Sequence, residues 1–555
     1  MNLTLGSFFT QIPDWQPRRA TVSGETVALI VSTFFALACN QEFWTAALVG
    51  RDATRVATWV FASAMLVALI GIHFLLLCLV LNRWVAKPLL SVLIVATAFA
   101  TYYMNSFSVY LDPNMMRNAL ATEAKESRDL LVWGMAPHFF VYAGLPLLFL
   151  WSVRLERRPM TRATLVRLAA IAGAILVTSG AILLIFQDLS SLMRNHKEMR
   201  YLITPANFLY STARALGTQT QHGGLPRIAV GSDARMAAAW QGRKKPLLFL
   251  MVVGETARAA NWGLNGYARQ TTPRLAQLNV VNFSEVGSCG TDTETSVPCM
   301  FSVIGRRAYD ENRIRNSDSL LHLLRRVGFN VVWRDNNTGC KGVCAGIGEE
   351  RVDKLAIPGV CDADRCLDAT LLHGLDTIAD DNDGNLFVVL HQVGNHGPAY
   401  FKRYPERFRR FTPTCDTAEL QHCQRQEIVN TYDNALLYTD DFLANTIAFL
   451  EAQETRYDTA LLYVSDHGES LGENGLYLHG IPYSIAPKVQ KDVPMVMWFS
   501  PAFLRSFEID SACLQLRANR PSSHDNLVHT LLGIMQIETS VLDSGLDLSR
   551  DCRER

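Results

Sequence analysis

Five apolar stretches crowd the first 190 residues, at roughly residues 26–49, 57–81, 88–104, 134–153 and 165–187. Each is long enough, or nearly so, to cross a bilayer as a helix, the third being the shortest. The first is no removable signal peptide. It starts late, carries the polar pair Asn40 and Gln41 near its end, and is followed at once by further apolar spans. Arg18 and Arg19 precede the first span, Arg83 and Lys87 separate the second from the third, and Arg154, Arg157, Arg158 and Arg162 fill the loop between the fourth and fifth. Basic loops of this kind stay on the cytoplasmic side. Arg51 and Arg55 run against the pattern, and the 105–133 loop carries mixed charge. An odd number of spans delivers everything after residue 190 to the opposite side, which is the periplasm in a Gram-negative bacterium.

The remainder suits water. The 555 residues are 49% hydrophobic with zero formal net charge, but charges are sparse before about residue 190 and plentiful after 225. A neutral chain with no basic face gives no reason to expect nucleic acid as a partner. Of the twelve cysteines, Cys39 and Cys78 lie in apolar stretches and the other ten follow residue 288. They include the close pairs Cys289 with Cys299, Cys340 with Cys344, Cys361 with Cys366, and Cys415 with Cys423. So many paired thiols favour disulfides in an oxidising compartment. Zinc ribbons are the other reading, but the C-x-x-C spacing and nearby histidines are missing. Nothing in the spacing decides whether Cys513 and Cys552 pair.

Three regions follow: residues 1–190 as a membrane domain of five helices, 191–240 as a linker with short amphipathic helices, and 241–555 as a soluble domain. In the last, the apolar runs PLLFLMVVGE, FNVVWRDN, NLFVVLHQVGNH and ALLYVSDHGE alternate with helical patterns such as NALLYTDDFLANTIAFL. Such alternation predicts a largely parallel α/β sheet covered by helices. Ligands bind beyond the carboxyl ends of the strands in such sheets. Three of these runs end in Glu255, in the segment from His391 to His396, and in Asp466 with His467, placing acids and imidazoles on one rim.

The segment SCGTDTETSVPCMFS, residues 288–302, sets three threonines between two cysteines. A bridge there would brace a hydroxyl at a helix start, where free N–H groups favour an anion. Taken alone, an ordinary helix cap explains it as well. Beside Glu255, Asp466 and His467 the hydroxyl gains a chemical role, because zinc takes carboxylate and imidazole ligands and lowers the pKa of a nearby oxygen acid. Such a hydroxyl can attack a phosphodiester. The nitrogen ligand argues for zinc over magnesium.

These segments, with DNNTGCKGVC, GNHGPAYFKRYPERFRRFTPTC and SDHGESLGENGLYLHG, resemble the lipid A phosphoethanolamine transferases, a family that includes the mobile colistin-resistance enzymes. The similarity runs along the whole chain. It implies an alkaline phosphatase/sulfatase fold on a five-span anchor in the bacterial inner membrane, with a periplasmic catalytic domain. It implies a zinc site of Glu255, Thr293, Asp466 and His467, one ion with room for a second, and Thr293 as nucleophile with Thr291 and Thr295 in support. His396, His479 and Lys341 would face the headgroup, although a solvated loop lysine fits Lys341 on sequence alone. Asn118, Thr122 and Glu126, spaced four apart on one helix face, would contribute to the donor's headgroup site; an exposed helix with paired charges is the plainer account. The implied reaction moves phosphoethanolamine from phosphatidylethanolamine to lipid A, in a monomer among membrane lipids. Another acceptor (core sugar, periplasmic glucan or protein) or a non-catalytic membrane sensor are the alternatives. A sulfatase would need a C-x-P-x-R type motif, which the Thr293 segment lacks. One departure stands out: Asp292 and Glu294 flank Thr293 with negative charge that would either oppose an incoming phosphate or recruit another cation.

Overall fold

The computed structural model describes residues 20–121, 128, 130–222, 227–362 and 365–553. Thr122 and Glu126 lie outside them. The chain divides into two compact units. The first comprises residues 1–102, 136–199 and 203–205, the second 103–135, 200–202 and 206–555.

The apolar stretches form helices. In chain order these are α1 (Gly24–Ala38), α2 (Gln41–Leu48), α3 (Val56–Val80), α4 (Ala86–Phe107), α5 (Pro113–Ala121), α6 (Met135–Ser152), α7 (Met160–Leu184), α8 (Phe186–Asn195) and α9 (Ala206–His222). Four of them, α3, α4, α6 and α7, are each long and apolar enough to cross a bilayer. The first stretch differs from the single span expected over 26–49: α1 and α2 meet at a bend of 56°. Asn40 is the cause, its Nδ2 donating to the carbonyls of Phe35 at 2.7 Å and Thr204 at 2.9 Å. A polar side chain that captures a helical carbonyl in this way competes with the helix ladder. Within the first unit, Phe35, Phe74, Leu77, Leu90 and Leu150 form a buried cluster between the helices. In the region expected to be a linker, α9 is a full 17-residue helix that packs on α5.

The second unit is built on an eight-stranded sheet. Its strands are β1 (Leu247–Gly254), β2 (Val281–Gly287), β3 (Asn330–Asp335), β4 (Glu349–Arg351), β5 (Leu386–His391), β6 (Asp458–Ser465), β7 (Asp492–Phe499) and β8 (Ser522–Ser523). Their order across the sheet is β8-β2-β7-β6-β1-β5-β3-β4. All neighbours are parallel except β7, which runs against both β6 and β2. Every residue of β1 is buried, as a strand covered on both faces requires. On one face Phe249, Met251 and Val253 share a core with Val297 and Met300 of α10 (Thr293–Met300) and with Phe301, which caps its end. The 28-residue α12 (Arg425–Ala452), which follows the short α11 (Glu311–Asn316), packs on β6.

Candidate functional site

The central strands set the site by register. Gly254 pairs with Ser465 at the ends of β1 and β6, so the next residues, Glu255 and Asp466, leave the sheet side by side. The Asp466 N–H donates to the Gly254 carbonyl at 2.9 Å, extending the ladder into the turn. Thr256 follows with φ of 53°. A non-glycine residue in this region is strained, and such strain gathers where surrounding structure holds a functional group in place. Gly394, at φ of 49°, passes so close that a Cβ would sit 2.7 Å from the Glu255 carbonyl oxygen, which only glycine avoids.

The third contributor is α10. Asp292 caps it, accepting from the Thr295 N–H at 2.9 Å, and puts Thr293 in the first turn. The Thr293 hydroxyl donates to Glu255 Oε2 at 3.0 Å and lies 3.4 Å from His467 Nε2. That nitrogen is also 3.4 Å from both Glu255 Oε1 and Asp466 Oδ2. Both carboxylate oxygens are buried and accept no hydrogen bond, a cost that a cation between them would remove. Glu255, Asp466 and His467 offer one ligand atom each within 4.8 Å of one another, and Glu255 does so again with His396 and His479. Two carboxylates and an imidazole are a donor set suited to zinc.

Electrostatics agree with the geometry. Burial opposes ionisation of Glu255, but the charge of the His467 imidazole 3.4 Å away holds its carboxyl well below the usual range. Burial raises Asp466 to about 7, with the Glu255 charge adding to it. Burial works against a charged His467, yet Asp466 and Glu255 outweigh it and lift the imidazole to about 10. A proton thus sits where the negative charge converges, and a divalent cation would displace it.

In front of Thr293 lies a cavity of about 240 Å³, lined among others by Asn118, Asn337, Lys341, His396 and His479. Five of the expected residues therefore meet in one space: Thr293, Asn118, Lys341, His396 and His479. Lys341 is no solvated loop lysine. Its side chain is 6% exposed, with Nζ donating to Thr338 Oγ1 at 2.7 Å and lying 3.7 Å from Glu294. The His479 Nδ1 is 3.0 Å from Glu469, whose carboxyl burial raises to about 8. Thr291 turns away and donates to the Ile481 carbonyl at 2.7 Å, while the Thr295 hydroxyl accepts from Asn114 at 2.9 Å.

The acidic flank also has an explanation. Asp292 is used as the helix cap, and Glu294 is held by Arg315 at 2.9 Å. Of the two alternatives, Glu294 meets the recruitment of a cation, in Arg315, and Asp292 is engaged as the cap. The paired cysteines are bridged, Cys289–Cys299, Cys340–Cys344, Cys361–Cys366 and Cys415–Cys423, and Cys513 is joined to Cys552. Cys39 and Cys78 stay free and buried.

Two residues at the site had no reading in the sequence. Asn337 donates from Nδ2 to Glu255 Oε2 at 2.9 Å and to the Gln392 carbonyl at 2.8 Å, aiming the carboxylate. Its place two residues beyond β3, in the DNNTG segment, is the signal that pointed there. His524 is buried between the Thr293 loop and the end of β6. Its Nδ1 accepts from the Cys289 N–H at 3.0 Å and its Nε2 donates to the Ser465 carbonyl at 3.0 Å. Burial lowers it to about 3, so it is neutral. No spacing in the sequence marks it.

A hydroxyl at a helix start, facing carboxylates and an imidazole at the carboxyl ends of a mostly parallel sheet, forms a site of the sulfatase type, and residues 248–537 match the Sulfatase family model. Residues 69–220 match the model described as phosphoethanolamine transferase EptA/EptB. The chain belongs to the phosphoethanolamine transferase family: it is 37% identical over 532 residues to phosphoethanolamine transferase EptA of Escherichia coli K12, covering 95% of this chain and 96% of that relative. It is 34% identical over 530 residues to phosphatidylethanolamine transferase Mcr-1 of Escherichia coli, covering 94% and 96%. The solved integral membrane lipooligosaccharide phosphoethanolamine transferase A from Neisseria meningitidis superposes with a TM-score of 0.91 at 36% identity, covering 96% of this chain and all of that one. The chain is therefore an enzyme, with a sulfatase-type domain following apolar N-terminal helices.

Proposed function

We propose that this enzyme transfers phosphoethanolamine from phosphatidylethanolamine to a phosphate of lipid A through a phosphothreonine at Thr293. The observation that carries the reading is the Thr293 hydroxyl, 3.0 Å from Glu255 and 3.4 Å from His467, at the floor of a cavity lined by Lys341, His396 and His479. Glu255, Asp466, His467 and the Thr293 oxygen would hold zinc, with His396 and His479 as the partners of Glu255 for a second ion. When bound, zinc would supply Lewis-acid stabilisation of charge on the transferred group.

The protein's own groups do the rest. Glu255 accepts the Thr293 proton as Oγ1 bonds to the donor phosphorus and the bond to the diacylglycerol oxygen breaks. When they hold no second ion, His396 and His479, which line the same cavity, are placed to give a proton to that leaving oxygen. Lys341 adds positive charge beside the phosphate, and Asn118 lies on the cavity wall formed by α5. In the second step a lipid A phosphate oxygen attacks the phosphothreonine, the P–Oγ1 bond breaks, and Thr293 regains the proton that Glu255 took in the first. The ethanolamine ammonium offsets negative charge on the product, which weakens attraction for polycationic polymyxins.

The chain organisation we infer supports lipid substrates: residues 1–190 as five spans in the inner membrane, with α1 and α2 as one broken span, 191–240 as a tether, and 241–555 in the periplasm. Mass spectrometry of lipid A from cells with the native chain, the Thr293→Ala variant and no enzyme tests the reading. A phosphoethanolamine adduct with the native chain alone is expected. An active Thr293→Ala variant removes the mechanism; unmodified lipid A beside another modified glycan rejects the acceptor and keeps the chemistry.

A further inference from the structure

The first unit contains a cavity of about 720 Å³ that has no part in the reaction. It lies between the start of α1, the end of α3 and the first three turns of α7, and its walls include Glu25, Arg83, Trp84, Glu156, Arg158 and Arg167. Its charges do not cancel. Arg158 engages both carboxylates, Glu25 at 3.3 Å and Glu156 at 2.7 Å. Arg167 then has no hydrogen-bond or ion-pair partner among the described residues, and Arg83 has only the ring of Trp84, at 4.6 Å. Two guanidiniums thus border the cavity without an acid of their own.

Their position makes this costly. Arg167 is the eighth residue of the apolar helix α7, so its Cα stands about 10 Å from the helix start at a rise of 1.5 Å per residue. A charged side chain that far into a spanning helix is expensive unless it faces a polar cavity and a counter-charge. The walls beyond the arginines are apolar, with Leu81, Leu168 and Ile171, and Trp84 is 75% exposed, as a residue at a membrane interface is. Basic pockets between spans on the side of basic loops take phospholipid headgroups. The volume falls in the range of small-molecule sites, about 300–1,000 Å³.

We propose that this cavity is a binding site for an anionic glycerophospholipid, its phosphodiester held by Arg83 and Arg167 and its acyl chains leaving along Leu168 and Ile171. A headgroup without an ammonium is favoured, because Arg158 already occupies both carboxylates that an ammonium would seek. The site rests on the membrane placement of the helices, with the basic loops on the cytoplasmic leaflet, and not on the transfer reaction.

Native mass spectrometry of the delipidated full-length protein, titrated with phosphatidylglycerol and with phosphatidylcholine, tests it. One saturable phosphatidylglycerol adduct is expected, with phosphatidylcholine at least tenfold weaker. Arg83→Gln with Arg167→Gln should weaken phosphatidylglycerol by tenfold or more, and Ala163→Trp, which fills the cavity without touching a charge, should block it. Arg162→Gln, on the same helix but outside the cavity walls, should bind as the native chain does. Equal affinity for the two lipids, or full binding by the double and the filled variants, overturns the proposal. Competition by glycerol phosphate as strong as by the lipid also overturns it, since the apolar walls would then contribute nothing. Transfer activity measured on the same samples separates the two readings: a chain that binds phosphatidylglycerol but never transfers rejects the reaction alone.

Discussion

The Glu294 carboxylate and the Arg315 guanidinium meet at 2.9 Å immediately behind the candidate nucleophile, both nearly buried. Arg315 also donates to the Glu294 carbonyl and reaches Glu311, so one cation secures the first turn of α10. Removing Arg315 would leave a buried charge beside Lys341, at a cost of about 3 kcal/mol. Arg315→Ala should therefore lower both the unfolding temperature and the transfer rate, whereas Glu294→Ala should lose little. The double variant should recover most of both. Measured melting temperatures and turnover of the detergent-solubilised chains decide this; a double variant as impaired as Arg315→Ala would show that Glu294 is not the group being neutralised.

Asn337 fixes one oxygen of Glu255 and leaves the other for the cation. Loss of such an orienting hydrogen bond typically weakens metal affinity about 10–100-fold. Asn337→Ala should show that loss in a zinc titration with a chromophoric chelator. Activity should return when zinc is supplied in excess; affinity equal to the native chain's would remove the orienting role.

Zinc uptake should tighten as pH rises. Asp466, raised to about 7, and His467, raised to about 10, hold protons below those values and must release them to take the cation. Between pH 8 and 6 the affinity should fall by about tenfold per pH unit for each proton released. Calorimetry in buffers of different ionisation heat counts those protons directly. A flat affinity with no proton release would contradict this electrostatic picture.

His524 acts on the site through backbone. It is the acceptor for one strand of the nucleophile loop and the donor to the residue preceding Asp466. His524→Ala strands both partners, at about 1–3 kcal/mol each. The turnover number should drop with KM nearly unchanged, and His524→Gln, which keeps a donor and an acceptor, should recover part of it. A change confined to KM would place His524 in substrate binding instead.

The strands that carry chemistry were legible because each is an apolar run that stops abruptly at a polar group: β1 at Glu255, β5 before His396, β6 at Asp466. The reversed direction of β7 was not, since VPMVMWF buries the same side chains whichever way it runs. Nor was the break near Asn40, where a single amide diverts the helix by bonding a residue far along the chain, Thr204. Sequence alone left Lys341 open between a headgroup contact and a solvated loop lysine, and marked Glu294 only as negative charge beside Thr293. Their burial depends on the ion pairs Glu294 makes with Arg315 and with Lys341, partners well separated from it in sequence. Sequence periodicity reports which face of an element is dry, not which remote partner satisfies a polar atom on it.

The bridge between Cys289 and Cys299 encloses Thr293 in a short covalent ring. In a reducing cytosol the same segment would be an open chain, with its hydroxyl untethered from the carboxylates of β1 and β6. On the proposed mechanism, the brace around Thr293 would then form only where thiols are oxidised. A molecule held in a reducing compartment would carry every residue of the site without the covalent ring that gathers them.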